Sequence, residues 1–275
     1  MKREAISLIV LAMVIGFGQK LQAQYYLKFD MGYAAPMGEQ SVPQFFDFNE
    51  ESETLPFKKQ NKISLGQGSH FNLGLGYNFS GKIGAELNLS YLWGSKRDSE
   101  IETSDDYFYR SLRGEMFSAI PSLVLIMPIK KPNMDFYSRV GLITSISSRM
   151  IYDTETLIDS NNADYQQRYI MSGSFALGFN AVMGLKWKKG KVNYFVELDY
   201  RALSYAPTKR SMQTSTINGS SNIHALSVHD RETVYLENIE VSNPAIVNDE
   251  EPLEVLISAY PFSSVGLNFG ISINL

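Results

Sequence analysis

The sequence predicts an all-β fold: an eight-stranded antiparallel up-and-down transmembrane β-barrel with long extracellular loops. Three observations lead there. Eight segments between Tyr25 and Leu275 alternate apolar with small or polar residues. Each run has roughly the ten residues that a tilted strand needs to cross a bilayer core. Short and long connections take turns along the chain. In the last run, Val265 to Leu275, alternate residues share a face, so Val265, Leu267, Phe269, Ile271, Ile273 and Leu275 line one side and Gly266, Asn268, Gly270, Ser272 and Asn274 the other. A soluble sandwich also alternates, but its polar face is rich in exposed Lys and Glu. Here Gly, Ser and Asn dominate that face, as suits a narrow, crowded lumen.

The expected strands are 24–34, 70–79, 82–94, 114–127, 134–147, 171–187, 191–205 and 262–275. In the first, Tyr25, Leu27, Phe29, Met31 and Tyr33 point out while Tyr26, Lys28, Asp30 and Gly32 point in. Phe71, Leu73, Leu75, Tyr77 and Phe79 repeat the outward pattern in the second, and Ile83, Ala85, Leu87, Leu89, Tyr91 and Trp93 in the third. The fourth is less regular, because Ile120, Val124 and Ile126 fall on inward positions. Phe175 to Trp187 and Val192 to Tyr200 supply the outward faces of the sixth and seventh. An even strand count brings both chain ends to one side.

Ser80-Gly81, Pro128 to Asn133 and Lys188-Lys189-Gly190 are tight connections, whereas about 35, 19, 23 and 56 residues separate the other strand pairs. Transmembrane barrels keep short turns in the periplasm and long loops outside. Lys82, Lys130, Lys131, Lys188, Lys189 and Lys191 crowd the short turns, where anionic phospholipid headgroups attract them, and acidic residues crowd the long connections. Among the latter, Ser211 to Asn222 is expected to be a mobile polar loop, and Thr233 to Val241 a hairpin above the membrane. Reading Thr233–Val241 as a ninth spanning strand would put Glu237 or Glu240 in lipid, which excludes a ten-stranded barrel.

Trp93 and Trp187 fall at opposite ends of their strands, so two aromatic girdles are expected: Tyr25, Trp187 and Tyr194 at one water interface, Tyr33, Trp93 and Tyr200 at the other. Core aromatics of a sandwich are the bland alternative, which these end positions disfavour. At the amino terminus, Lys2 and Arg3 precede an apolar run from Ala5 to Phe17 and a short polar stretch to Ala23. Residues 1–23 therefore read as a secretory signal peptide, too short for a spanning helix, with a membrane anchor as the alternative. Removing them moves the net charge from −4 to −6, and nothing in the charge pattern points to a nucleic-acid partner. With 0 Cys, disulfides, thiol chemistry and lipid attachment at a cysteine are excluded.

Inward positions carry Lys28, Arg139, Lys186 and Arg201 against Asp30, Glu86, Glu197 and Asp199. Four cations facing four anions inside so narrow a barrel predict a salt-bridged plug, with a polar channel as the alternative. Catalytic constellations are scarce. Ser69 and His70 are adjacent and point to opposite faces of a strand, so they do not form a nucleophile and base pair. His224 and His229, near Asp230 and Glu232, are a metal candidate weighed against a solvated loop, which is the commoner outcome. No cofactor and no enzymatic activity are expected.

Taken with the export signal, the eight strands, the long connections and the Val265–Leu275 strand resemble the small outer-membrane β-barrels of Gram-negative bacteria, the OmpA/OmpX-like group. The resemblance covers residues 24–275 and implies a location in the cell outer membrane with both termini periplasmic. It also implies that outer-membrane lipids and the barrel-assembly machinery, which reads such a terminal strand, are partners. A structural role, or binding of a surface ligand through the long loops, follows from the same resemblance; a porin-like channel or transporter, and less readily a lipid-modifying enzyme, are its rivals. Leu275 replaces the aromatic residue usual at the end of the terminal strand. The tether role of a periplasmic peptidoglycan-binding domain is not expected to carry over from the resemblance.

Overall fold

A computed structural model describes residues 24–49, 57–102, 106–129, 133–158, 163–239 and 248–275. Residues 1–23, read from the sequence as a signal peptide, lie outside them. Eight antiparallel strands close into a barrel: β1 (Gln24–Pro36), β2 (Gly68–Asn78), β3 (Ile83–Gly94), β4 (Asp106–Pro128), β5 (Met134–Ile158), β6 (Leu177–Lys189), β7 (Val192–Tyr205) and β8 (Ser264–Asn274). Each pairs with its sequence neighbours, and β8 closes the ring on β1 with Tyr26 opposite Asn274 and Pro36 opposite Ser264. Closure leaves the barrel wall without a free edge, which for a two-faced sheet removes the row of unpaired backbone groups.

The alternation read from the sequence is realised in burial. Along β1, Tyr26, Lys28 and Asp30 are buried while Tyr25, Leu27, Phe29, Met31 and Tyr33 are exposed. On β8, Asn268 and Ser272 are buried and Leu267, Phe269, Ile271 and Ile273 exposed. The outer wall is thus an apolar belt, continued by Leu73, Leu87, Leu123, Leu142, Leu177 and Leu198 on the other strands. Two inward glycines let aromatic rings lie flat in the wall. Gly76 stands opposite Tyr26 and Gly184 opposite Tyr137, and a Cβ at either position would run into the facing ring.

Four features differ from the sequence-based expectation. The fourth and fifth strands are much longer than 114–127 and 134–147, because β4 and β5 stay paired from Pro128 and Asp135 out to Asp106 and Ile158. The run 171–187 is two strands: Ala163–Ser172 ends at Gly173, whose φ of 107 breaks the ladder before β6 begins at Leu177. Ser211 to Asn222 is not an irregular polar loop. Lys209–Ile217 is a strand paired with Ala163–Ser172, and its Ser and Thr residues suit a half-buried sheet as well as they suit a loop. The described part of the Thr233–Val241 run, residues 233–239, is not a self-paired hairpin, since Glu232–Leu236 adds to Lys209–Ser211 and runs parallel to Leu253–Leu256, and residues 240–241 lie outside the described residues. These strands carry the sheet well past one end of the barrel, and Arg97–Glu102 widens it along β4.

That extension is amphipathic, and its inner face closes the barrel mouth. Met150 and Tyr152, Tyr169 and Met171, and Met212 come from successive strands and join Tyr205, Tyr260 and Phe262 in one apolar cluster, and Tyr235 is buried with its hydroxyl against Met171 Sδ. Ile63 and Leu65 enter the same cluster from the segment before β2, held by Leu65 N–H donating to Pro261 O at 2.8 Å and Ser64 Oγ donating to Ser263 O at 2.7 Å. The tight connections lie at the opposite end, together with Tyr25 and Leu275. Substituting Gly76 by Val should lower stability by about 1–3 kcal/mol through overpacking against Tyr26, measured by urea titration of tryptophan fluorescence.

Candidate functional site: a buried ionic network in the barrel

Between the apolar mouth and the short-turn end, the lumen is filled by charge. Inward positions of β1, β3, β5 and β7 bring Lys28, Glu86, Arg139 and Glu197 to one level. Lys28 Nζ lies 2.6 Å from Glu197 Oε1, 3.2 Å from Asp30 Oδ2 and 3.6 Å from Glu86 Oε1. Arg139 bonds Glu86 through Nη1 and reaches Glu197 Oε2 with Nη2 at 3.4 Å. Two tyrosines complete the carboxylates, Tyr26 donating to Glu86 Oε2 and Tyr137 to Glu197 Oε1, each at 2.7 Å. Asn88 Nδ2 adds a further donor to Glu86 at 2.6 Å. Glu197 has 0% of its surface exposed, so its charge is tolerated only through these contacts.

A second group sits toward the mouth. Arg201 donates from Nη2 to Asp199 Oδ2 at 2.8 Å, to Asn72 Oδ1 at 3.2 Å, and from Nη1 to Ser90 Oγ at 2.8 Å. Asn72 passes the chain on to Asp30, and Asn180 and Asn268 donate to Asp199. Asp30 thereby joins the two groups, through Lys28 on one side and Asn72 on the other. Seven of the eight inward charged residues singled out in the sequence are within this network. Lys186 is placed differently: half-buried near the short-turn end, it lies over the rings of Tyr26 and Tyr137 at 5.4 and 5.2 Å and makes no ion pair within 4 Å among the described residues. Its reach toward the tyrosines that hold Glu86 and Glu197 makes it a cation–π lid on the network.

Little space remains. A void of about 10 Å³ lies among Tyr26, Lys28, Glu86, Tyr137, Lys186 and Phe195, below what a water needs to move through. The Lys28 ammonium stands 4.8 Å from the Phe195 ring, and Tyr137 meets Phe195 edge-on at 6.4 Å. Below this layer a cavity of about 360 Å³ opens among Lys186, Lys188, Asp135, Asn193 and Asn274 at the short-turn end.

The sequence analysis named the charges and placed Tyr26 and Asn268 on their face, without assigning the groups that satisfy them. Tyr26, Asn72, Asn88, Ser90, Tyr137, Asn180 and Asn268 sit on inward positions of the same alternation, which was the available signal. All six girdle residues, Tyr25, Tyr33, Trp93, Trp187, Tyr194 and Tyr200, are exposed on the outer wall. Tyr194 stands opposite Trp187 near the short-turn end and Tyr25 pairs with Tyr77 there, while Trp93 and Tyr33 flank Ser69 at the other end. Of the histidines, His70 is buried with neither ring nitrogen hydrogen-bonded, and His224 and His229 lie on two short helical turns. The neighbouring Asp230 is engaged in a capping box with Ser227.

No protein-family model matches the chain, and no curated protein matches it. Replacing Glu197 by Ala should cost about 3–5 kcal/mol of folding free energy, because Lys28, Arg139 and Tyr137 lose a buried partner. Lys186→Met, which strands no buried carboxylate, should cost about 1 kcal/mol in the same urea titration.

Proposed function

We propose that the chain is an integral outer-membrane β-barrel with a plugged polar lumen, serving a structural or surface-binding role through the sheet that extends from one end. The observation that carries this reading is the inverted distribution of chemistry: charges and amides inside, an exposed apolar belt outside. Leu177 is 65% exposed, Met183 61% and Leu142 61%, and comparable residues recur on every barrel strand. Water would make such a surface an aggregation site, whereas hydrocarbon makes it a solvent-matched wall. Aromatic rings at both borders of the belt suit the two interfaces of a bilayer. No helix among the described residues is long and apolar enough to cross a membrane, so insertion would proceed through the closed strands.

In this reading the short turns and both chain ends face the periplasm, and the extended sheet faces outward. The amino-terminal segment serves as an export signal, and the terminal strand β8 is presented to the barrel-assembly machinery. The packed ionic network and the apolar mouth disfavour conduction, and the tyrosine-held carboxylates act as structural fillers. Loops and extensions on a rigid scaffold are where binding surfaces arise, so a surface ligand would meet the protruding sheet.

Three outcomes follow. Leu87→Arg or Leu177→Arg should destabilise the protein by roughly 2–4 kcal/mol when folding is measured in lipid vesicles, with a smaller effect in urea titrations of micellar protein. Planar bilayers carrying the purified protein should show almost no current; a large, stable open level would replace the plug by a channel. External trypsin on intact cells should cut the extended end and spare Lys188-Lys189 until the outer membrane is opened.

A further inference from the structure

On the outer wall, where the apolar belt meets the extension, two guanidinium groups converge on one carboxylate. Glu115 on β4 stands opposite Arg149 on β5 and Trp93 on β3. Arg149 Nη2 lies 2.6 Å from Glu115 Oε2 and Nε donates to the same oxygen at 2.8 Å; Arg113 Nη2 lies 2.9 Å from Oε1. Tyr91 donates to Oε2 as well, at 3.2 Å. One carboxylate thus serves two cations and a phenol, and the Arg113 Nε–H, out of contact with solvent, has no acceptor. Each guanidinium brings five N–H donors, so donors exceed acceptors and the cluster keeps one net positive charge.

The position gives that surplus a meaning. Arg113 lies over the Trp93 ring, 5.9 Å from its centroid, and Trp93 is 54% exposed on the outer wall. Phe117 and Ile146 begin the apolar belt directly below. Beside the cluster a notch of about 130 Å³ is lined by Tyr91, Glu115, Met116, Phe117, Ser147 and Arg149, at the irregular register where Phe117 and Ser118 skip a residue of β5. The side chain of Arg149 is 52% exposed, so its remaining donors are free to turn into this notch. An ordinary surface ion pair would match one cation to one anion and leave no oriented donors over an apolar wall.

We propose that Arg113 and Arg149 bind the phosphate-bearing headgroup of an anionic amphiphile whose acyl chains pack on the belt below. A phosphate supplies the planar pairs of acceptor oxygens that guanidinium groups meet two at a time, and it cancels the surplus charge. Trp93 and Phe117 border the chains, while Tyr91 and Glu115 fix the arginine orientations. The inference rests on the membrane reading, because only an amphiphile in a bilayer is held against this wall.

The test uses the full chain refolded into vesicles of phosphatidylcholine containing a minor fraction of phosphatidic acid, followed by native mass spectrometry of the extracted protein and a lipid titration. Phosphatidic acid should be retained in preference to phosphatidylcholine. Arg113→Gln combined with Arg149→Gln should weaken its retention at least about tenfold, while Arg168→Gln, on a strand of the extension and paired to Asp153, should leave it unchanged. Arg113→Gln alone keeps Arg149 over Glu115 and should give an intermediate loss, which secures the reading if the double variant folds poorly. Equal retention of the two lipids, or displacement by free inorganic phosphate as effective as by phosphatidic acid, would overturn the proposal and leave the membrane reading standing. Failure of the wild-type chain to enter vesicles would remove both.

Discussion

Closing eight strands into a barrel leaves an interior just wide enough for side chains, and everything inside must then be paired. Glu197 shows how tight that constraint is. It is fully buried, and its two oxygens are reached by a lysine of β1 and by an arginine and a tyrosine of β5. Removing any one of these groups unbalances the others. The network therefore ties β1, β3, β5 and β7 together across the lumen, adding cross-links that the backbone ladder around the wall does not provide.

The same constraint divides the molecule along its axis. At the short-turn end aromatic rings cover the charges, with Tyr137 and Phe195 packed edge-on and Lys186 above the tyrosines. At the other end the extended sheet folds Met, Tyr and Leu side chains over the mouth, so the ionic layer is sealed from that side too. The long β4–β5 pair is the element that makes this possible, because its outer half carries the strands whose inner faces supply Tyr152, Tyr169 and Met171. Rigidity in the wall and a platform beyond it come from one continuous pairing.

Much of this was legible in the sequence because a strand's period of two is unforgiving. The alternation from Tyr25 to Tyr33 and from Val265 to Leu275 assigns every residue a face, and Lys28, Asp30, Glu86, Arg139, Glu197, Asp199 and Arg201 follow from it. The extension was not legible, for a physical reason. Lys209–Ile217 is rich in Ser and Thr, residues equally at home in loops, and only its pairing with Ala163–Ser172 gives it a fixed conformation. The break at Gly173 was hidden for the opposite reason, since apolar residues continue on both sides of it and the alternation gives no sign of a left-handed turn. The Arg113–Glu115–Arg149 cluster was not legible because the expected strands 114–127 and 134–147 stop short of Arg113 and Arg149, and only the longer β4–β5 pairing sets these residues beside Trp93 and Phe117.

The chain contains 2 Trp, one at each border of the apolar belt, and this makes the membrane reading directly measurable. Single-tryptophan variants retaining Trp93 or Trp187 would be refolded into vesicles of lipids brominated at defined depths along the acyl chain, and the quenching of each tryptophan compared. Both should be quenched most strongly by bromines near the headgroup and weakly by bromines at the chain end, because each ring sits at an interface. Absence of quenching by every brominated lipid, for both tryptophans, would show that the belt does not meet hydrocarbon.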